Sequence, residues 1–183
     1  MSTAKPTAAL LVIDVQESFR HRPGFDPEAI PGFLAAQNAL IEGAGERGLP
    51  IVRVFHVADE GVFAPESGCV VPMAGLAPFA PALEVRKLRH SALAGTGLGA
   101  WLTEHGITRV IISGMRTEQC CETTARAASD AGFEVVFVTG ATLTFAMRHA
   151  GGRTYTPEEI RERTELVLAG RFATISSVAD AFR

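Results

Sequence analysis

Short apolar runs alternate with segments of helical periodicity along most of the chain. Residues 8–14 form an unbroken apolar run that ends on Asp14, and residues 50–56 form a second run that ends on His56. Between them, residues 32–48 carry apolar side chains at helical spacing and end on a glycine. Continuous apolar runs of this length are typical of parallel strands buried on both faces. The alternation predicts a doubly wound α/β sandwich with a mostly parallel sheet.

The second half of the chain continues this alternation. The predicted elements there are a short strand within residues 85–91, a helix at 98–106, a strand at 108–113, a helix at 122–132, a strand at 133–139 followed by a loop at 140–145, a helix from Thr156 to near Gly170, and an edge strand at 172–175. Residues 57–85 are rich in glycine and proline and are long for a connection inside a compact domain. Such a segment is typical of a lid, a pocket wall or a subunit contact.

Length, charge and cysteine content narrow the class of protein. The chain has 183 residues, 47% of them hydrophobic, which predicts one globular domain over residues 1–183 with a sizeable core. A net charge of −3 gives no electrostatic reason to expect nucleic acid or an anionic membrane as a partner. Three cysteines, without a disulfide-type spacing or a visible signal peptide, favour a cytoplasmic location.

Four chemically useful side chains are predicted to meet at one edge of the sheet. Asp14 follows the first strand, His56 ends the second, Lys87 lies near the end of the third, and Cys120 follows the fourth. Parallel strands place their carboxyl ends on the same rim, which is where open α/β sheets bind ligands. Taken singly, Asp14 is equally well a helix cap or a loop acid, and Lys87 a surface cation.

The turn that carries Cys120 is typical of a nucleophile site. The first turn of a helix offers free N–H groups and a positive field, which favour a thiolate and bind an oxyanion. Asp14 can accept the thiol proton, and Lys87 can stabilise the thiolate while keeping Asp14 ionised. N–H groups around Arg116 and Cys120 can receive the oxyanion of acyl transfer. In the alternative interpretation, Cys120 and Cys121 are small buried hydrophobes.

Three motifs resemble those of the isochorismatase-like cysteine hydrolases: residues 9–16, residues 87–96, and residues 114–125. The resemblance covers about the first 145 residues and keeps the order and spacing of the motifs. It implies a Rossmann-like three-layer sandwich, with a sheet of about six strands and helices on both faces, and a homodimer or homotetramer. It also implies a catalytic triad of Asp14, Lys87 and Cys120.

The family spacing distinguishes the two adjacent cysteines. In the family the nucleophile stands six residues after the glycine at Gly114, which selects Cys120 and leaves Cys121 for core packing. The resemblance further implies a non-proline cis peptide at Met115–Arg116. That bond directs the Arg116 N–H, together with the Cys120 N–H, at the oxyanion.

The chain departs from the family pattern where nicotinamidases bind a metal. Those relatives carry an Asp-x-His motif after the second strand, whereas this chain has His56 with Asp59. Two ligands make a poor zinc site, because zinc in catalytic sites takes three protein ligands and a water. We therefore expect no metal, no cofactor and no nicotinamidase activity. True isochorismatases lack the cysteine nucleophile, so Cys120 argues against hydrolysis of isochorismate.

Arg116 stands where the family often has a small or aliphatic residue. Its guanidinium either clamps a substrate carboxylate or pairs with Glu118 or Glu122. Gly140 stands where the family commonly has an aspartate. The substrate-binding residues expected around the rim are Gln16, Phe19, His56, Arg116, Thr117, Leu143 and Phe145.

The leading hypothesis is a cysteine-dependent hydrolase that cleaves a C–N bond of a small molecule through a thioester. The substrate class is an amide, a carbamoyl compound or a lactam. One alternative is a redox or thiol-binding protein that uses the vicinal pair Cys120 and Cys121 without hydrolysis. Another is an assembly protein of the same fold with weak catalysis.

Overall fold

Six parallel strands form the central sheet of the computed structural model, which describes residues 7–183. The strands of the chain are β1 (Ala8–Ile13), β2 (Ile51–His56), β3 (Leu83–Lys87), β4 (Arg109–Met115), β5 (Glu134–Leu143), β6 (Met147–Arg148), β7 (Thr154–Tyr155) and β8 (Thr174–Ile175). The sheet order is β3-β2-β1-β4-β5-β8, and β6 pairs with β7 in a separate antiparallel hairpin. The predicted α/β fold class is confirmed.

Helices cover both faces of this sheet. They are α1 (Ile30–Glu46), α2 (Leu98–Glu104), α3 (Glu122–Asp130) and α4 (Pro157–Leu168). Leu10 and Val12 of β1 pack in one core cluster with α1, whereas Leu11 and Ile13 pack in a second cluster with α2 and α3. Both faces of β1 are therefore buried, which explains its continuous apolar sequence. None of the helices in residues 7–183 combines the length and apolarity needed to span a membrane.

The start of α4 follows its sequence signals closely. The Thr156 hydroxyl accepts a hydrogen bond from the Glu159 N–H at 3.2 Å, and the Glu159 carboxylate accepts one from the Thr156 N–H at 2.8 Å. This reciprocal pair is a capping box, with Pro157 in the first helical turn. The prediction that the helix starts at Thr156 and Pro157 is confirmed.

The end of β5 differs from its prediction. The strand was expected to stop at Thr139 with a loop at 140–145, but it continues to Leu143. The reason is its partner strand: Gly114 and Met115 of β4 pair with Thr142 and Leu143 after an irregularity in register. The extra strand residues come from pairing across the sheet, which local turn preferences do not record.

The glycine- and proline-rich connection after β2 packs over the carboxyl end of β1. It runs through residues 57–82 with two short 3₁₀ turns, Gly61–Phe63 and Pro65–Ser67. The N–H of Met73 donates to the Val15 carbonyl at 3.0 Å, and the Met73 side chain is buried. Among the three roles predicted for this segment, its position matches that of a wall beside the predicted site.

Gly114 allows β4 to approach β1 where Asp14 emerges. Its φ is +121°, and a Cβ built there would lie 1.9 Å from the Ile13 carbonyl oxygen. Backbone atoms cannot move aside as a flexible side chain can, so a larger residue separates the two strands. Glycine at this position is required for the contact between strands as well as for the positive φ.

Gly114→Ala is expected to reduce the free energy of unfolding by about 3 kcal/mol or more, through strain at a special backbone position and loss of strand pairing. Denaturant unfolding of both proteins measures the change. Gly140→Ala is the matched control, because a Cβ there meets open space and its φ is not in the left-handed region. It should change stability by no more than about 0.5 kcal/mol. Equal losses in the two variants would contradict this role of Gly114.

Candidate active site

The carboxyl ends of the central strands bring Asp14, Lys87 and Cys120 together. Asp14 directly follows β1, Lys87 is the last residue of β3, and Cys120 lies in a π-helical turn, Thr117–Cys121, between β4 and α3. The Lys87 Nζ atom lies 2.8 Å from Asp14 Oδ2 and 3.3 Å from Cys120 Sγ. All three residues are buried. The order of parallel strands thus produces the convergence that their sequence positions predict.

His56 supplies a third partner for the same ammonium group. Its Nδ1 atom lies 3.1 Å from Lys87 Nζ. A lysine ammonium has three donor hydrogens and no acceptor, so contacts with a carboxylate, a thiol sulfur and an imidazole nitrogen match its capacity. His56 Nδ1 must then accept, which places the ring proton on Nε2. Burial and the Lys87 charge lower the pKa of His56 to about 4, so the ring is neutral at neutral pH.

The Cys120 sulfur is protonated in the resting protein, although a position at the start of a helix favours a thiolate. Burial, reinforced by the negative charge of Asp14, raises the pKa of the Cys120 thiol to about 12, and Lys87 only partly offsets this. Cys120 therefore rests as a thiol, because desolvation of the sulfur outweighs the nearby positive charge.

Asp14 and Lys87 form a buried ion pair, and the pKa of each group is raised. Burial raises the pKa of the Asp14 carboxyl above 3.8, although the Lys87 ammonium acts in the opposite direction. For Lys87, burial favours the neutral amine, but the charges of Asp14 and Cys120 outweigh it and the pKa is raised. Neither Asp14 oxygen accepts a hydrogen bond of good angular geometry from the described residues, despite the 2.8 Å ion-pair contact. The carboxylate therefore keeps capacity to accept a proton.

The backbone at Asp14 is held in an unusual conformation by its neighbours. Asp14 has a φ of +54°, in the left-handed region. The Gln16 amide spans to β2: its oxygen accepts from the His56 N–H at 2.8 Å, and its nitrogen donates to the His56 carbonyl at 3.0 Å. The same nitrogen donates to Ser18 at 2.9 Å. Gln16, expected to bind substrate, thus has both amide hydrogens engaged and links the ends of β1 and β2.

The turn Thr117–Cys121 is held in place by hydrogen bonds to β5. The Thr117 hydroxyl donates to the Thr142 hydroxyl at 2.8 Å, which in turn donates to the Thr139 carbonyl at 2.9 Å. The Met115–Arg116 peptide bond is cis. Thr117 is fully buried by these contacts. Its hydroxyl is therefore part of the framework that positions the turn.

Arg116 pairs with Glu118, one of the two alternatives for its side chain. Its Nη2 atom lies 3.0 Å from Glu118 Oε1, and its guanidinium carbon lies 5.4 Å from the centre of the Phe145 ring. Both charged side chains are largely buried. The guanidinium charge is thus already matched by a carboxylate.

Four of the side chains expected to bind substrate, Phe19, His56, Leu143 and Phe145, differ in their exposure. Phe19, Leu143 and Phe145 are buried in the core cluster that also contains α1. His56 is only partly buried and meets the Phe63 ring edge-on, with centroids 5.6 Å apart. His56 and Phe63 therefore lie closer to solvent than the three core residues.

Two residues near the site were not predicted from the sequence to belong to it, although Glu122 had been named as a possible partner of Arg116. Glu122 is buried at the start of α3, where it accepts hydrogen bonds from Arg126 at 3.0 Å and from Thr164 of α4 at 3.1 Å. Glu122 thus links α4 to α3, the helix that follows the turn Thr117–Cys121. His90, in the loop after β3, brings Nδ1 to 3.7 Å from Cys120 Sγ. Its place three residues beyond Lys87, on the same rim, was the available signal.

The possible metal ligands surround the lysine. Donor atoms of Asp14, His56 and Cys120 lie within 4.8 Å of one another. Lys87 Nζ lies 2.8 Å from Asp14 Oδ2, 3.1 Å from His56 Nδ1 and 3.3 Å from Cys120 Sγ. A divalent cation at their centre would meet the buried ammonium at close range, so these residues fit a lysine rather than a metal.

The parallel sheet thus places a buried acid, a lysine and a thiol in contact at one rim. A family model described as the isochorismatase domain matches residues 8–176. The chain belongs to the isochorismatase family. The resemblance stated from the three motifs is confirmed.

Relatives and solved structures agree with that family. An uncharacterised isochorismatase family protein, YrdC of Bacillus subtilis, is 27% identical, over 91% of this chain and 90% of its own. A streptothricin hydrolase of Streptomyces noursei is 33% identical over 70% of this chain and 46% of its own. Nicotinamidase 3 of Arabidopsis thaliana is 42% identical over 49% of this chain and 39% of its own.

A structure from Chromobacterium violaceum, assigned to the isochorismatase family, superposes with a TM-score of 0.85 at 26% identity, covering 98% of this chain and 93% of that one. A cysteine hydrolase from Pseudomonas syringae superposes with a TM-score of 0.86 at 20% identity, covering 94% and 89% of the two chains. The second likeness shows the fold alone.

Proposed function

We propose that this chain is a cysteine hydrolase that cleaves a C–N bond of a small amide, carbamoyl compound or lactam. The observation that carries the proposal is the contact of one buried ammonium with both a carboxylate and a thiol: Lys87 Nζ lies 2.8 Å from Asp14 and 3.3 Å from Cys120. An acid, a cation and a nucleophile in contact are the parts that acyl transfer requires.

The thiol proton is the first to move. Because Cys120 rests as a thiol, Asp14 accepts its proton as the sulfur attacks the carbonyl carbon, and Lys87 stabilises the negative charge that forms. The N–H groups of Arg116 and Cys120 bind the oxyanion. Asp14 passes that proton to the nitrogen as the C–N bond breaks, so the amine leaves and a thioester remains on Cys120. Asp14 then takes a proton from the attacking water and returns it to the sulfur as the C–S bond breaks, which releases the free acid.

The names of two relatives support hydrolysis of this kind. One is a streptothricin hydrolase and the other a nicotinamidase, although each matches only part of its own length. Nicotinamidase activity is not proposed for this chain, since Asp-x-His is absent after β2 and the ammonium of Lys87 occupies the centre of the possible ligand cluster. The nucleophile Cys120 also sets it apart from enzymes that hydrolyse isochorismate.

The pairing of Arg116 with Glu118 gives no reason to expect specificity for acidic substrates. The carboxylate-binding hypothesis needs a free guanidinium at Arg116, whereas its charge is matched by Glu118 at 3.0 Å. Arg116→Met is therefore expected to change KM for acidic and neutral amides by similar factors. A rise in KM confined to acidic substrates, measured by steady-state kinetics, would restore the carboxylate-binding role.

The vicinal thiols do not favour a redox function. Cys121 is fully buried in the core, and burial, together with the charge of Cys120, raises the pKa of its thiol well above the ordinary value. Oxidation proceeds through the thiolate at exposed positions, and Cys121 has neither property.

The homodimer or homotetramer implied by the family resemblance stays a prediction. Light scattering of a sample whose turnover is measured in parallel tests it. A catalytically active monomer would contradict it.

Turnover is expected to fall as the pH is lowered, and the midpoint of this fall should lie above 3.8, the ordinary pKa of an aspartate. Asp14 must be ionised to accept the thiol proton, and burial raises its pKa, so turnover is present above that raised pKa and lost below it. The pH profile of kcat measures this. His56→Asn, which keeps an acceptor near Lys87, should leave the acid limb in place, because His56 is neutral above about pH 4. Loss of the limb in that variant would assign it to His56.

A panel of simple amides, carbamoyl compounds and lactams tests the proposed function. Release of ammonia or amine should occur with the wild-type protein and vanish in Cys120→Ser. Turnover that survives in Cys120→Ser would exclude a thioester route.

A further inference from the structure

The β6–β7 hairpin and α4 form the two walls of a groove on the surface of the molecule. Its volume is about 720 Å³, and its lining residues lie within 147–155 of the hairpin segment and 159–166 of α4. Glu118, from the turn that carries Cys120, lines it as well. The groove thus adjoins the candidate active site, but no member of the proposed triad lines it.

Two large apolar side chains of the groove are exposed to solvent. Met147 in β6 is 39% exposed, and Leu166 in α4 is 79% exposed, more than any other large apolar side chain in residues 7–183. A single exposed apolar residue needs no explanation, but apolar side chains grouped in a groove mark a surface that binds a partner.

The hairpin wall has weak support from its own chain. β6 and β7 contain two residues each, and in the described part of the chain they pair with each other and with no further strand. A hairpin of two strands alone is marginally stable in water. Arg153 of the hairpin forms an ion pair with Glu159 of α4, but both side chains are exposed, and such pairs contribute little. A partner that bridges both walls would hold the hairpin against α4.

Arg148 and Glu162 carry unpaired charges on opposite walls of the groove. Both are exposed, and neither has an ion-pair partner within residues 7–183. The other acidic and arginine side chains of the groove are paired inside the chain, as Glu118 with Arg116, Arg153 with Glu159, and Arg163 with Glu122. The groove therefore offers one free positive charge on the hairpin and one free negative charge on the helix.

We propose that a second copy of this chain docks on this groove about a twofold axis, with Arg148 of each copy paired to Glu162 of the other. In a twofold interface the same surface patch serves both copies, so each contact occurs twice with the roles exchanged. A groove with opposite free charges on its two walls is complementary to itself under that symmetry. Exposed apolar side chains with charged residues around them are the composition of a protein interface. The inference concerns assembly and holds whether or not the Cys120 site hydrolyses amides.

Reversal of each charge tests the pairing. Arg148→Glu and Glu162→Arg each place two pairs of like charges across the homodimer, and each should raise its dissociation constant about 10²-fold. In an equimolar mixture of the two variants, a heterodimer has opposite charges in both pairs, so assembly should return. Light scattering just above the dissociation constant of the wild-type protein measures the mass of each sample, and circular dichroism checks the fold.

The apolar part of the groove has its own variant and control. Leu166→Gln should also lower the assembled mass, whereas Leu88→Gln changes an exposed leucine outside the groove and should not. Arg89→Glu is the control for charge reversal, because Arg89 is an exposed arginine outside the groove.

Three results would overturn the inference. They are a wild-type protein that stays monomeric, a groove variant that keeps the wild-type mass, and a mixture of the two charge variants that stays dissociated. A small molecule as the occupant of the groove predicts the first or the second of these, because a groove of this volume would hold it without a second copy.

Discussion

Replacing Cys120 with serine is expected to lower turnover by about 10⁴-fold or more, with little change in the fold. Removing a nucleophile that acts together with a base costs nearly the whole chemical acceleration. A serine hydroxyl in the same place is a weaker nucleophile, and the surrounding pocket already disfavours charge on the sulfur, whose thiol pKa is raised to about 12. Steady-state turnover of the amide panel measures the loss, and circular dichroism checks the fold.

Cys121→Ala is the matched control for that variant. Cys121 is fully buried and packs in the core cluster with α2 and α3, so its truncation should reduce stability by about 1 kcal/mol. Most of the turnover should remain. If Cys121→Ala abolished activity while Cys120→Ser retained it, the assignment of the nucleophile would be reversed.

Lys87→Met is expected to abolish activity and to reduce the free energy of unfolding by about 3–5 kcal/mol. The ammonium is the contact partner of Asp14, His56 and Cys120, and its removal leaves a fully buried carboxylate without a counter-charge. Removing one member of a buried ion pair costs about this much. Denaturant unfolding at several pH values measures the loss.

The pH dependence of that loss follows from the remaining acid. Burial raises the pKa of Asp14, and without Lys87 no opposing charge remains to lower it. The stability of the variant is therefore highest when Asp14 is protonated, and it is lost as the pH rises through the raised pKa. Adding Asp14→Asn removes the uncompensated charge and should recover most of the stability without any activity. A pH-independent loss in Lys87→Met would contradict a buried, charged Asp14.

The sequence carried enough information for the fold because its local signals agree with its tertiary contacts. The run that became β1 is apolar on both faces, and both faces are buried. The cap at Thr156 depends only on residues within one turn of it. Parallel topology then places Asp14, Lys87 and Cys120 at one rim without further information.

The features that could not be predicted from the sequence depend on contacts between segments that are distant along the chain. The extension of β5 to Leu143 comes from pairing with β4. The resting thiol of Cys120 comes from burial, which helix-start arguments leave out. The choice of Glu118 as partner for Arg116 and the approach of His90 to sulfur are both side-chain geometries on turns and loops. Local sequence patterns indicate which residues are near one another along the chain. They do not indicate which of several possible partners a side chain contacts.

The central claim is that Cys120 carries the substrate as a thioester. Rapid quenching of the wild-type protein during turnover of a small amide, followed by peptide mass spectrometry, tests it most directly. A transient acyl group is expected on Cys120 and should disappear as the acid product forms, whereas none is expected on Cys121. Turnover without any acyl group on Cys120, or an acyl group on another residue, would contradict it.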